Sequence, residues 1–99
     1  MMDDRKDLHT IADHYGLRAQ MQKTVEETGE MLAELGRLML DGENEAIRLA
    51  LLEEIADVEI MLDQLKYLLD AEEISEGKRQ WKIRRQLDRI REEKAKKDE

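Results

Sequence analysis

Two pairs of carboxylates spaced i, i+3 are the residues of this chain best suited to chemistry. They are Glu27 and Glu30, within Glu26-Glu27-Thr28-Gly29-Glu30, and Glu54 and Asp57, within Glu53-Glu54-Ile55-Ala56-Asp57. On a helix that spacing puts two side chains on one face, one turn apart. Four carboxylates brought together repel one another strongly unless a cation sits among them. Oxygen donors alone suit Mg²⁺ or Mn²⁺ rather than zinc or copper. A di-iron bundle would need Glu-x-x-His on two helices, whereas His9 and His14 both precede the acidic pairs and neither has that spacing. Both histidines read as surface or packing residues. With 42% of the chain charged, acidic pairs also arise on helix faces that are merely solvated, so their placement has to decide.

The placement is symmetric about Asp41-Gly42, the best turn signal in the middle of the chain. Glu27 lies fifteen positions before Gly42 and Asp57 fifteen after, while Glu30 and Glu54 are each twelve away. A helical hairpin turning at Gly42 brings all four to one height, roughly 18–22 Å from the turn at about 1.5 Å rise per residue. Both pairs also flank apolar positions.

The elements that must hold this arrangement are helical. Residues 3–15 read as a short helix, with Leu8, Ile11, Ala12 and Tyr15 at helical spacing, Asp3 or Asp4 as cap and Gly16 as stop. Residues 17–40 follow, with Met21, Val25, Thr28, Leu32, Leu35 and Met39 as the expected core stripe. Gly29 is costly inside a helix, about 1 kcal/mol relative to Ala, and suggests close approach of another backbone or room near the site. Asn44 caps a third helix expected to run to Glu73, whose broad apolar face (Ile47, Leu51, Ile55, Val58, Met61, Leu62, Leu65, Leu69) exceeds what one hairpin covers. Ser75-Glu76-Gly77 reads as the next break, and a fourth helix from Lys78 carries Trp81, Leu87 and Ile90 as sparse anchors. Residues 91–99 are expected to fray. The fold class is all-α: one domain over 1–99, a helical bundle built on a long antiparallel hairpin with a short N-terminal helix and a basic C-terminal helix.

Composition narrows the function. The 99 residues hold no Cys, Pro or Phe, which excludes disulfides and thiolate zinc sites and fits a cytoplasmic protein. No apolar run approaches the roughly 18 residues of a membrane span, and no signal-peptide core follows the charged start, so no membrane partner is expected. The net charge of −8 is uneven: residues 78–97 hold ten Lys/Arg against three Asp/Glu, and residues 1–77 hold seven against twenty. An acidic body with a basic tail does not suit nucleic acid, which needs a broad basic face. It suits a small polyphosphate, with metal on the acidic part and phosphates met by the basic part.

The pattern Glu26-Glu27-Thr28-Gly29-Glu30, a spacer of 23 residues, then Glu54-Ile55-Ala56-Asp57 resembles the MazG-like nucleoside triphosphate pyrophosphohydrolases. The flanks are similar too: Tyr15-Gly16, Gln20 and Lys23 before the first motif, the run from Glu53 to Leu65, and Trp81-Lys82-Ile83 with Arg85 and Arg89 in a basic last helix. The likeness covers residues 11–90. It implies an all-α bundle that binds Mg²⁺ (Mn²⁺ as a substitute) through Glu27, Glu30, Glu54 and Asp57. It implies hydrolysis of an NTP or dNTP to the monophosphate and pyrophosphate, with Glu26 orienting or deprotonating the attacking water. It also implies a homodimer or homotetramer with sites completed across subunits. Gly29, where larger residues are common, and the arginine density of the last helix depart from the family pattern; neither removes a ligand.

Gln20 and Lys23, one to two turns before the first motif, can reach the rim of the site or be ordinary helix surface. Lys82, Arg85 and Arg89 form one basic stripe at i, i+3, i+7, either a phosphate clamp or solvated charge paired with an acidic partner surface. Trp81 reads as a core or interface anchor. Two other functions compete with the enzyme: a non-catalytic helical oligomerisation module, and a nucleotide-binding family member without turnover.

Overall fold

The computed structural model describes residues 3–98. It is all-α: α1 (Arg5–Tyr15), α2 (Leu17–Leu40), α3 (Glu45–Leu68) and α4 (Glu72–Lys97), with no strand among the described residues. No helix is long and apolar enough to cross a membrane.

Local chemistry accounts for most boundaries. Asp4 holds the N-cap position of α1 without a side-chain bond, and Asp3 Oδ1 beside it accepts from the Arg5 N–H at 3.0 Å. Gly16 separates α1 from α2 with φ of 86°, a left-handed value that a side chain would strain. Asn44 caps α3, accepting from the Ile47 N–H at 3.1 Å. The end of α3 corrects the sequence reading. The helix stops at Leu68 rather than Glu73, and Ser75-Glu76-Gly77 lies inside α4. Asp70 takes the left-handed position at φ 53°. The N–H groups of Ala71 and Asp70 reach back to the carbonyls of Lys66 and Tyr67 at 2.8 and 3.0 Å. That is a Schellman closure with Asp where Gly is usual. Residues 91–97, expected to fray, continue the helix.

α2 and α3 form the antiparallel hairpin, and α1 packs across both. The inward positions of α2 are Gln20, Thr24, Glu27, Met31, Glu34 and Leu38, at alternating spacings of four and three. α3 answers with Ile47, Leu51, Glu54, Val58, Met61, Leu65 and Leu68 at the same kind of spacing. These are coiled-coil-like seams. The expected core stripe of α2 is displaced from its seam by one residue, about 100° of rotation. Met21, Val25, Leu32, Leu35 and Met39 therefore face outward, with Val25 76% and Met39 81% exposed. In an antiparallel pair a one-residue advance on each helix turns toward the same side. The stripe thus shares an open apolar face with Leu62 and Leu69 of α3.

α4 has no buried residue, and its backbone lies near α3 alone among the helices. Trp81, Leu87 and Ile90 are exposed and anchor nothing within the chain. With α4 projecting, the radius of gyration is 17.5 Å, against about 13 Å for a compact chain of this length. Its first turn is tied down by the Glu72 carboxylate, 3.3 Å from His9 Nε2. The His9 ring stacks on Tyr67 at 3.7 Å, and the Tyr67 hydroxyl donates to Asp13 at 2.9 Å.

Candidate metal centre

The hairpin brings carboxylates of Glu27, Glu30 and Glu54 together, one oxygen from each lying within 4.8 Å of the others. Glu27 and Glu54 occupy the inner seams; Glu30 is on the exposed edge of α2. The fold forces this convergence. The turn at Asp41–Asn44 sets the register, and the two seams meet along their length.

The burial is uneven, and the polar accounting does not close. Glu27 is buried, with Oε1 held by Lys23 Nζ at 3.2 Å. Its other oxygen, Oε2, is inaccessible and has no hydrogen-bond partner. Glu54 is half-buried, and its Oε2 is likewise inaccessible and unpartnered. Buried carboxylate oxygens without partners are costly. Burial first, then the charges of Glu30, Glu27 and Asp57, push the Glu54 carboxyl above its ordinary value. Lys23 is held above its ordinary value by its hydrogen bond to Glu27 and by the Glu26 charge. Among the described residues it is the one cation paired with this cluster, so negative charge there remains in excess.

Asp57 is exposed and outside the group of three, yet near enough for its charge to bear on Glu54. Glu26 is exposed beside the cluster, 3.8 Å from Lys23. Gln20 is buried and donates to Gln64 Oε1 at 2.7 Å. Lys82, Arg85 and Arg89 are all exposed on α4, which does not pack against α2. Arg85 lies over the Trp81 ring at 4.8 Å. The close backbone approach expected at Gly29 is not made within the chain, since a Cβ there would meet nothing within 4 Å.

Hard oxygen donors, two of them inaccessible and unpartnered, fit a hard divalent cation better than they fit an empty seam. Gln64, the partner of Gln20, was not singled out by sequence. The signal for Gln64 is a polar residue between Met61 and Leu65 on the most apolar stretch of α3. No protein-family model, curated protein or solved structure matches the chain.

Proposed function

We propose that the chain is a Mg²⁺-dependent nucleoside triphosphate pyrophosphohydrolase, cleaving an NTP or dNTP to the monophosphate and pyrophosphate. The observation that carries this reading is the pair of inaccessible, unpartnered oxygens, Glu27 Oε2 and Glu54 Oε2, inside a three-glutamate cluster. Glu27, Glu30 and Glu54 would hold the ion, with Asp57 completing the set from the next turn of α3. When bound, the ion supplies charge compensation for the phosphates and for the leaving pyrophosphate.

The chain's own groups do the rest. Glu26, exposed and adjacent, would accept a proton from water attacking the α-phosphorus. The bond from that phosphorus to the bridging oxygen breaks, and pyrophosphate leaves with the oxygen. Lys23 holds Glu27 in place and offers its ammonium at the rim. Lys82, Arg85 and Arg89 cannot serve the cluster of their own chain from where α4 lies, so on this reading a second copy supplies them. The open apolar face of the hairpin supports such a homo-oligomer, since an apolar face of this kind in water marks an interaction surface.

The deciding experiment measures pyrophosphate release from a panel of NTPs and dNTPs, with Mg²⁺ and with EDTA. Mg²⁺-dependent release is expected. Its absence across the panel leaves the oligomerisation module, which the uncovered faces of α2 and α4 favour. Nucleotide binding without release identifies a member that does not turn substrate over.

A further inference from the structure

Two apolar surfaces of this chain lie uncovered, and they belong to elements joined by a short connector. One is the outer stripe of the hairpin, with Val25, Leu32 and Leu35 exposed on α2. The other is formed by Ile83, Leu87 and Ile90 of α4, exposed at spacings of four and three. The connector is Leu69–Ala71, a length within the roughly 2–5 residues that join two antiparallel helices. Yet α4 projects from the bundle and buries none of its residues.

The two stripes are in register. An α4 turned back at Asp70 to run antiparallel to α3 would bring each residue level with the one equally far before Asp70. Ile83, Leu87 and Ile90 lie thirteen, seventeen and twenty positions after Asp70. The hairpin register is centred on Gly42, since Gln20 and Gln64, joined by a hydrogen bond, are each twenty-two positions from it. Carried across that register, the three levels fall on α2 one position short of Thr28, Leu32 and Leu35 of the outer stripe. Charge agrees with this placement, because residues 78–97 hold ten Lys/Arg against three Asp/Glu and residues 1–77 hold seven against twenty.

A small device at its root holds α4 out. Asp70 takes the left-handed position at φ 53°, uncommon for a residue other than glycine. Among the described residues, one hydrogen bond joins an α4 side chain to another helix, Glu72 Oε2 with His9 Nε2 at 3.3 Å. The His9 ring stacks on Tyr67, whose hydroxyl lies 2.9 Å from both carboxylate oxygens of Asp13. Side chains from α1, α3 and α4 thus meet beside the connector. An ion pair this exposed is weak, so the tie is one that releases readily. Short connectors of this kind serve as hinges, their few residues absorbing the change in φ and ψ. We propose that α4 is a hinged arm with two positions. The His9–Glu72 tie holds the projecting one. In the other, α4 folds back and Ile83, Leu87 and Ile90 cover the outer stripe of their own α2. The tie then decides what covers that stripe: held, it leaves the stripe to a second copy; released, it gives the stripe to α4. This inference goes beyond the nucleotide reading and does not depend on it.

The test measures a distance within one chain. The sequence has no cysteine, so Glu43→Cys with Lys97→Cys gives two unique sites for spin labels. Both positions are exposed, and each lies twenty-seven residues from Asp70, so folding back brings the labels level. Pulsed electron–electron distance measurements on the labelled full chain, diluted in excess unlabelled protein, exclude distances between copies. With the tie intact, one long distance is expected. Adding Glu72→Ala or His9→Ala should transfer at least half of the population to a shorter distance. Adding Leu87→Glu to either should abolish the shorter distance, because it charges the stripe that docks and leaves the tie untouched. Circular dichroism checks the helical content of each variant, and Glu72→Ala, at an exposed position, carries the test if His9→Ala does not fold. An unchanged long distance in Glu72→Ala overturns the proposal. A short distance already dominant with the tie intact overturns it too. So does a short distance that survives Leu87→Glu, since α4 would then be swinging without docking on this stripe.

Discussion

α2 and α3 have equal length and run along each other, yet α3 brings more apolar side chains into their shared seam than α2 does. α3 turns Leu51, Val58 and Met61 inward, with the polar Glu54 and Gln64 among them. α2 turns Gln20 and Glu27 inward and sends Met21, Val25, Leu32, Leu35 and Met39 out. Apolar burial alone would rotate α2 by one residue and place its stripe against α3. In the observed register the Gln20–Gln64 bond crosses the seam, and Met31 and Leu38 lie half-buried along it. The contrast separates two jobs. The inner side of α2 gives up hydrophobic burial to assemble a polar site, and its outer side keeps an apolar surface for another copy.

The largest expected effect strikes the inner side. Glu54→Gln keeps the shape of the side chain and removes its charge. Mn²⁺ affinity by calorimetry and nucleotide turnover should fall together, turnover to background. Full activity in this variant would remove the metal-site argument and most of the case for an enzyme. Asp63→Asn on the same helix is the control. Asp63 is exposed and its ion pair among the described residues is with Lys66, at 3.8 Å, so stability should change by less than about 0.5 kcal/mol, with activity intact. Glu26→Gln sharpens the comparison further, because Glu26 lies just outside the seam. Mn²⁺ should bind as before, while kcat drops by roughly 10²–10⁴-fold if Glu26 accepts the water's proton. Parallel loss of metal and rate would instead make Glu26 a ligand.

The parts of this picture that sequence could show are the local ones. Gly16, Gly42 and Asn44 are punctuation with a mechanism, and α2 ends where they require. The symmetry of the acidic pairs about Gly42 needed only counting. The end of α3 was not legible, because no Gly or Pro marks it and Asp70 takes the left-handed position instead. Gly77 misled, since strong helix formers on both sides outweigh one glycine. The register of α2 was the deeper miss. Seams at 20/24/27/31/34/38 and 21/25/28/32/35/39 have the same period, and period alone does not say which faces the partner. The join of His9, Tyr67, Asp13 and Glu72 links residues 54 and 63 positions apart, and no local pattern announces it.

The outer side is tested by charge. Leu32→Asp puts a carboxylate in the middle of the uncovered stripe, 57% exposed within one chain. A monomer would scarcely notice, since the position is already solvated. An oligomer closed over this face loses about 1.5–3 kcal/mol of leucine burial per copy and must also accommodate the charge. Light scattering should show wild type well above 11.7 kDa at micromolar concentration and Leu32→Asp near that monomer mass. A wild-type mass of a single chain would sink the assembly role assigned to this face.

The smallest effect is a slope, and it separates a site that repels from a site that binds. In the metal-free protein, burial and then the charges of Glu30, Glu27 and Asp57 hold the Glu54 carboxyl above its ordinary 4.5. The native state therefore binds this proton more tightly than the unfolded chain does. Stability from the group is present in full below 4.5 and is lost as pH rises through the raised native value. Glu54→Gln mimics the protonated form at every pH, so without metal the variant should melt above wild type at neutrality and show a flatter profile. Saturating Mn²⁺ should reverse the wild-type slope, because proton and ion compete for the same oxygens and the ion gains as the proton leaves. The variant, lacking the charge, should keep its flat profile with or without Mn²⁺. Thermal melts from below 4.5 to neutrality, with Mn²⁺ and with EDTA, give all four curves. A metal-free Glu54→Gln that melts below wild type at neutral pH would mean the ionised carboxylate is satisfied within the chain. The unpartnered oxygen would then no longer argue for an ion.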